Sequence, residues 1–437
     1  MKFDSLVIGG GLAGMVCGIR CAQAGLKTGI VSKGESGLSF ASGTIDVLGH
    51  DTDGQVLLNP FEGIEQLIAE KPDHPYAKTG IDAVKKALSW FQDLSGEFEM
   101  PCYPVSEGVN HQRITALGVL RPTYLAPDSM TRLPLVDTAR DLRRIAVVNI
   151  EGFRDFQPEL AAMNLRRLPE LAGVEMTAET IRLPSSVMND RDTNAMRSLE
   201  VSRYLDNDKV LSVLAQQIKK ITGPVDLVLI PSVLSLHHGI ERTRQLSEML
   251  GCRVCELATL PPSLPGIRLA NRLTRLFNRL GGVMMPGEQV LDGEFVNDRL
   301  DSLNMAHNRQ VKCQADHVVL ATGSFMSGGL AADRQRIHEA VFGLDTNTST
   351  PRSQWANQHF LDAHAFASFG VVTDQQLRPR RNGQTIKNLF CAGGVLGDAQ
   401  PLEEGSSGGI SITTGWKVAE QIIQIKKTQQ GENDNDC

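Results

Sequence analysis

"FDSLVIGGGLAGMVCGIRCAQAGLKTGIVSKGES", residues 3–36, decides the fold. Leu6–Gly9 has the apolar run of a buried strand, Leu12–Ala24 the length and spacing of a helix, and Lys27–Ser32 is a second strand. Between strand and helix stands Gly9-Gly10-Gly11-Leu12-Ala13-Gly14, a G-x-G-x-x-G. Gly9 permits a tight turn, Gly11 lets backbone approach a phosphate, and Gly14 lets the helix lie on the strand. The helix N-terminus adds free N–H groups and positive partial charge. In this setting the motif predicts a phosphate-bearing cofactor at the start of a parallel sheet.

The second strand of such a unit ordinarily ends in an acid that accepts from the hydroxyls of an adenosine ribose. Counted from Gly9, the expected place is the twenty-fourth, and Ser32 occupies it, followed by Lys33. Glu35 stands three residues on, where it serves only if the loop doubles back. A serine is a neutral, weaker acceptor than a carboxylate, whose charged hydrogen bonds contribute ~1.5–3 kcal/mol each. The loop therefore specifies one phosphate better than an adenosine half, with Lys33 as a helper.

Working outward, residues 51–143 are irregular and proline-punctuated, with one clear helix near Gly80–Leu94. Arg144–Ile150 and Val225–Ile230 read as strands, with helices across Gln157–Leu168 and near Ile240–Leu250, so a second α/β lobe is expected. A proline turn leads to an amphipathic helix across Gly266–Leu280. Weak alternation over Gln289–Gln314 fits a β-meander, and Asp316–Thr322 is a strand closed by Gly323. Near the end, "NLFCAGGVLGDAQPLEEGSSGGISITTGWKVAEQII" reads as strand, two glycine loops and a helix starting near Gly408. The polar tail after Lys426 reads as frayed.

Glycine-rich strand ends this late in the chain separate flavin from nicotinamide. They are similar to the two-part flavin-binding domain of glutathione-reductase and fumarate-reductase type flavoproteins. That resemblance makes Thr322, Gly323, Gly394, Asp398, Gly408 and Gly409 candidate flavin contacts beside Gly9, Gly11, Leu12, Ala13, Gly14, Ser32 and Lys33. It places Asp398 near the ribityl chain, against the alternative of a turn cap. In "GESGLSFASGTIDVLG" the candidates are Ser36, Ser42 and Gly43, against ordinary turn chemistry. The expected fold is α/β: a Rossmann-like two-part flavin-binding domain, 1–50 and 256–426, with an inserted substrate- or partner-facing α/β lobe, 51–255, and a polar tail, 427–437.

Three stretches taken together, "FASGTIDVLG", "NHQRITALGVLRPTYL" and "LPPSLPGIRLANRLTRLFNRLGGVMMPGEQV", narrow the resemblance. With "LATGSFMSGGL" and "FGVVTDQQLRP" the chain resembles, from residue 1 to about 425, the B subunit of the anaerobic glycerol-3-phosphate dehydrogenase complex. The resemblance implies FMN, with FAD as the alternative. It also implies two partners: a catalytic FAD-containing subunit, and a cysteine-rich iron–sulfur membrane-anchor subunit that attaches the complex to the membrane. The complex oxidises glycerol 3-phosphate to dihydroxyacetone phosphate and passes electrons to quinone. An electron-relaying role is the leading expectation, beside a stand-alone flavin oxidoreductase of a small acid or alcohol and a non-catalytic docking subunit.

Hydride removal from a secondary alcohol needs a base, and a phosphate substrate needs cations. His111, Arg113 and Arg121 are the catalytic candidates, against surface solvation or satisfied loop hydrogen bonds. Arg268, Arg378 and Arg380 are ambiguous in the same way, and Thr373 lies where the wider flavoprotein pattern puts the flavin ring.

With 44 Lys+Arg against 50 Asp+Glu, a net charge of -6 and no basic block, nucleic acid is not the expected partner. Eight scattered cysteines form no disulfide ladder, which points to a reducing compartment. Cys252 and Cys255 form a C-x-x-C without a second pair, so no metal is expected. Cys17 and Cys21 share a helix face. Five glycines in the N-terminal apolar run argue against an export signal, and no stretch reaches the ~20 apolar residues of a span. The expected location is cytoplasmic, peripheral on the inner membrane through the complex.

Overall fold

The computed structural model describes residues 1–184, 195–308, 312–348 and 351–435, with side chains to residue 429. Strand β1 (Lys2–Ile8) is the centre of a five-stranded, wholly parallel sheet. Helix α1 (Leu12–Gln23) returns over it and strand β2 (Thr28–Ser32) pairs beside it, Ser5 opposite Thr28 and Ile8 opposite Val31. Val283–Pro286 adds outside β2; Gln314–Leu320 and then Leu389–Cys391 add on the other side of β1. Strands buried on both faces read as continuous apolar runs. Leu6, Val7, Val319 and Leu320 are fully buried for this reason.

Three distant pieces of chain thus make one sheet. The final helix, Ser407–Asn435, packs along α1, where Gly415 allows the approach: a Cβ there would lie 2.4 Å from the Ala13 carbonyl oxygen. This helix also corrects the expectation of a frayed tail, since it continues through the polar letters to Asn435. Lys, Gln and Glu are good helix formers, and extending a helix already nucleated by packing is easy.

A second parallel sheet runs in the order Arg253–Leu257, Leu227–Pro231, Arg144–Ile150, Glu175–Ile181. It has a core of its own, from Ile114 to Leu257. Side chains of the helices Pro60–Glu70 and Ile81–Glu97, including Ile64, Leu88 and Phe91, belong instead to the first core. The stretch 51–255 is therefore shared between the two cores. The hairpin Val290–Val296 with Arg299–Met305 is the expected meander.

A buried ion pair joins the lobes. Arg268, on the helix Leu264–Arg279, is 6% exposed and donates from Nη1 to Glu256 Oε2 at 2.5 Å and from Nε to the Ser235 carbonyl at 2.7 Å. Glu256, on the strand Arg253–Leu257, is 1% exposed and also accepts from the Leu234 N–H. Arg268 is thereby spent on joining the lobes.

The seven described cysteines are free. Cys17 and Cys21 are both fully buried, and the Cys21 thiol together with burial raises the Cys17 pKa. Cys255 points into the second core and no group of three or more metal-ligating side chains occurs among the described residues.

Candidate functional site

The glycine loop divides into tight and open positions. Gly9 has φ +120°, and a Cβ on it would fall 2.2 Å from the Ala321 carbonyl oxygen, where the strand Gln314–Leu320 runs out. A Cβ on Gly14 would fall 2.0 Å from the Gly9 carbonyl oxygen. Gly11 is different: a Cβ there meets nothing within 4 Å. Gly11 is also the N-cap of α1, which has no side-chain cap and no acid in its first turn. Open space in front of uncapped N–H groups is an anion cradle.

The second strand's end leans over this cradle. Ser32 Oγ donates to the Gly34 carbonyl at 2.8 Å and lies 3.0 Å from where a Cβ on Gly10 would sit. Its proton is committed to the Gly34 carbonyl, and its oxygen lies close over Gly10. Lys33 and Glu35 beyond it are exposed.

The later glycine loops come to the same place. A Cβ on Gly394 would lie 3.8 Å from Gly323 Cα, and one on Gly393 would lie 2.6 Å from Ala13 Cβ. Thr322 Oγ1 is buried with no partner among the described residues. An orphaned hydroxyl beside an open cradle fits a polar cofactor that completes both. Asp398 has φ +70°, a left-handed conformation uncommon outside glycine, and its Oδ1 accepts from Asn347 Nδ2 at 2.8 Å. That bond ties the loop to the segment around residue 347.

Other candidates have local work. Ser36 caps the turn Gly37–Phe40, accepting from the Leu38 N–H at 3.3 Å. Gly43, at φ +79°, passes Pro265 so closely that a Cβ would lie 2.7 Å from its Cβ. Gly408 and Gly409 allow the final helix to start against residues 45–47; a Cβ on Gly409 would lie 2.9 Å from Val47 Cα. Arg378 pairs with Asp374 at 2.8 Å, Arg380 is exposed, and Thr373 Oγ1 is buried without a partner among the described residues.

His111, Arg113 and Arg121 do come together. The strand His111–Ile114 lies between Leu120–Thr123 and Leu133–Pro134, with His111 opposite Thr123 and Arg113 opposite Arg121, so all four share one face. Thr123 Oγ1 donates to Asp46 Oδ1 at 2.8 Å, Arg113 Nε donates to Thr123 Oγ1 at 3.1 Å, and an Arg113 nitrogen lies 3.8 Å from Asp46 Oδ2. Ser42 Oγ, 2.7 Å from Thr44 Oγ1, extends the chain of polar groups. The Asp46 carbonyl accepts from the Gly409 N–H at 2.9 Å, which fixes this junction to the first turn of the final helix. His111 is fully buried; burial and the guanidinium groups of Arg132, Arg113 and Arg253 push its pKa down to about 3. Asp46, Thr123, Arg132 and Arg253 adjoin these candidates, and sequence reasoning misses them. Asp46 and Thr123 carry a signal, in the stretches "FASGTIDVLG" and "NHQRITALGVLRPTYL".

The two cavities of note lie elsewhere. One, of about 430 Å³, is bounded by His50, Lys71 and Glu404; the other, of about 630 Å³, by Arg336, Asp345 and Trp355. The cradle is an open cleft of backbone, which the chemistry rather than cavity volume picks out.

Residues 4–410 match the family model for the FAD binding domain. The chain is 38% identical over 99% of both chains to the anaerobic glycerol-3-phosphate dehydrogenase B subunit of Vibrio cholerae serotype O1 (strain M66-2). It is 36% identical to that of Aliivibrio fischeri (strain ATCC 700601 / ES114), over 100% of this chain and 98% of the relative. The chain belongs to the family of anaerobic glycerol-3-phosphate dehydrogenase B subunits. It is thus a flavin-dependent dehydrogenase subunit within a multi-subunit enzyme, with the expected Rossmann-like flavoprotein fold. Among solved structures it is similar to the 3-ketosteroid delta1-dehydrogenase from Sterolibacterium denitrificans, at 11% identity and a TM-score of 0.45 over 97% of this chain and 99% of that one. A likeness that distant bears on no functional point. Among the described residues no helix is long and apolar enough to cross a membrane.

Proposed function

We propose that this chain is the flavin-bearing relay of a complex that oxidises sn-glycerol 3-phosphate to dihydroxyacetone phosphate and delivers the two electrons to quinone. The observation that carries the reading is the relationship to the B subunits across nearly the whole of both chains, joined to a cradle that fits a flavin phosphate. Substrate oxidation is assigned to a separate catalytic partner containing FAD, and membrane attachment to an iron–sulfur partner. The resulting location is peripheral on the inner membrane, from the cytoplasmic side.

The flavin, when bound, supplies the electron-accepting ring. The chain's own residues hold it. The first N–H groups of α1, at Leu12, Ala13 and Gly14, would hold its phosphate in the space in front of Gly11. Ser32 and Lys33 would stand near that phosphate, Thr322, Gly323 and Gly394 would hold the cofactor from the later glycine loops, and Asp398 would be the candidate for a hydrogen bond to the ribityl chain. Within this scheme the cofactor is FMN. The family model is described as FAD-binding, which supports FAD; Ser32, neutral and turned back over the glycine loop, supports a cofactor that ends at its first phosphate.

Glycerol 3-phosphate should bleach this chain's flavin when the catalytic partner is present and leave the isolated, flavin-loaded chain almost oxidised over the same period. Rapid mixing with absorbance detection checks it. Bleaching of the isolated chain at the rate of the complex would move substrate oxidation into this chain and end the relay assignment.

A further inference from the structure

We infer that the junction between the three-stranded sheet and the Ser42–Asp46 loop is a binding site for a small phosphate monoester, separate from the phosphate position at Gly11. Four guanidinium groups converge there. Arg113 lies opposite Arg121 in the sheet, and Leu133, next to Arg132, lies opposite Gln112, next to Arg113; burial together with the Arg132, Arg113 and Arg253 charges pushes the His111 pKa down, and burial together with the Arg121 charge lowers that of His50. Among the described residues the ion pairs of these four arginines are with two carboxylates: Asp46, shared between Thr123 and Arg113, and Asp128, 2.5 Å from an Arg132 nitrogen. The Arg121 side chain has no hydrogen bond or ion pair among the described residues, and the residue is half-buried.

The second, independent observation is His111. Its side chain is fully buried, yet neither ring nitrogen has a partner among the described residues. Buried imidazole nitrogens are almost always hydrogen-bonded, because one left unpaired has given up its water and received nothing in exchange. A neutral imidazole carries one donor and one acceptor. It shares its face of the sheet with Arg113, Arg121 and Thr123. Planar guanidinium groups suit the oxygens of a phosphate dianion in paired contacts. A phosphate with one esterified oxygen leaves three for Arg121, Arg113 and His111. The hydroxyls of Ser42 and Thr44 lie next along the loop for the alcohol groups of the ester. The site rests on the proposed function only for the choice of glycerol 3-phosphate as a probe.

Calorimetric titration of the full, flavin-loaded chain tests it, the flavin filling the position at Gly11. Glycerol 3-phosphate and inorganic phosphate should each bind at one site and compete, and glycerol should give no heat. Arg121→Ala should weaken both phosphates by about tenfold or more with the flavin spectrum unchanged, and Arg121→Lys, which keeps the charge without the fork, should fall between. Unchanged affinities in Arg121→Ala would overturn the assignment, as would loss of binding in Lys33→Ala instead. Calorimetry needs no turnover: phosphate binding in a complex that never oxidises glycerol 3-phosphate would sink the functional reading and leave this site standing.

Discussion

Gly11→Val is expected to give folded, colourless protein. The backbone at Gly11 has φ -75°, which valine adopts without strain, and its Cβ would enter space with no atom within 4 Å. The fold therefore tolerates the change. The side chain instead fills the room through which a phosphate reaches the first N–H groups of α1. Losing two charge-assisted hydrogen bonds of ~1.5–3 kcal/mol each implies at least about a hundredfold loss of flavin affinity. The check is visible absorbance per polypeptide, with far-ultraviolet circular dichroism to show that the chain is folded. Full flavin absorbance in folded Gly11→Val would refute the cradle. Gly14→Ala is the contrasting variant: its Cβ would lie 2.0 Å from the Gly9 carbonyl, so fold and flavin should fail together.

Glu256→Ala should be the most destabilising single change between the lobes. It leaves the Arg268 guanidinium, 6% exposed, with the Ser235 carbonyl and no counter-charge. Breaking one side of a buried pair typically costs ~3–5 kcal/mol, most of it the penalty of the stranded charge. Urea unfolding at neutral pH should show a loss of that size. Because the penalty belongs to the charge left behind, Glu256→Leu combined with Arg268→Met should recover most of it. A single variant as stable as the parent would mean that Arg268 reaches water and that the pair does not join the lobes.

What is visible in the letters is whatever local geometry dictates. A glycine that must turn, a glycine that must let a helix pass and an uninterrupted apolar run each leave their mark within a few residues, so β1, α1, β2 and the later glycine loops are legible. The strand Glu175–Ile181 is not, since "EMTAETI" is polar and half covered at the end of its sheet. The helices Ser198–Leu205 and Asp208–Thr222 are obscured between clearer strands. The junction is the least legible part. Asp46, His111, Thr123, Arg132 and Arg253 come from four separate regions, brought into register by the pairing of Ile45 with Leu125, of Gln112 with Leu133 and of Met130 with Glu256. His111, Arg113 and Arg121 can be nominated from one stretch, which also holds Thr123, but not the Asp46 carboxylate that they face. Arg268 shows the converse: an arginine that reads as a candidate ligand is consumed by the join between lobes.

The central claim is that the glycine loop holds a flavin through one phosphate, with Ser32 in the place of the acid that would fix an adenosine. Acid release of the cofactor from this chain, made without its catalytic partner, followed by chromatography against standards tests it most directly. The account predicts FMN, one per chain; FAD in that amount would contradict it.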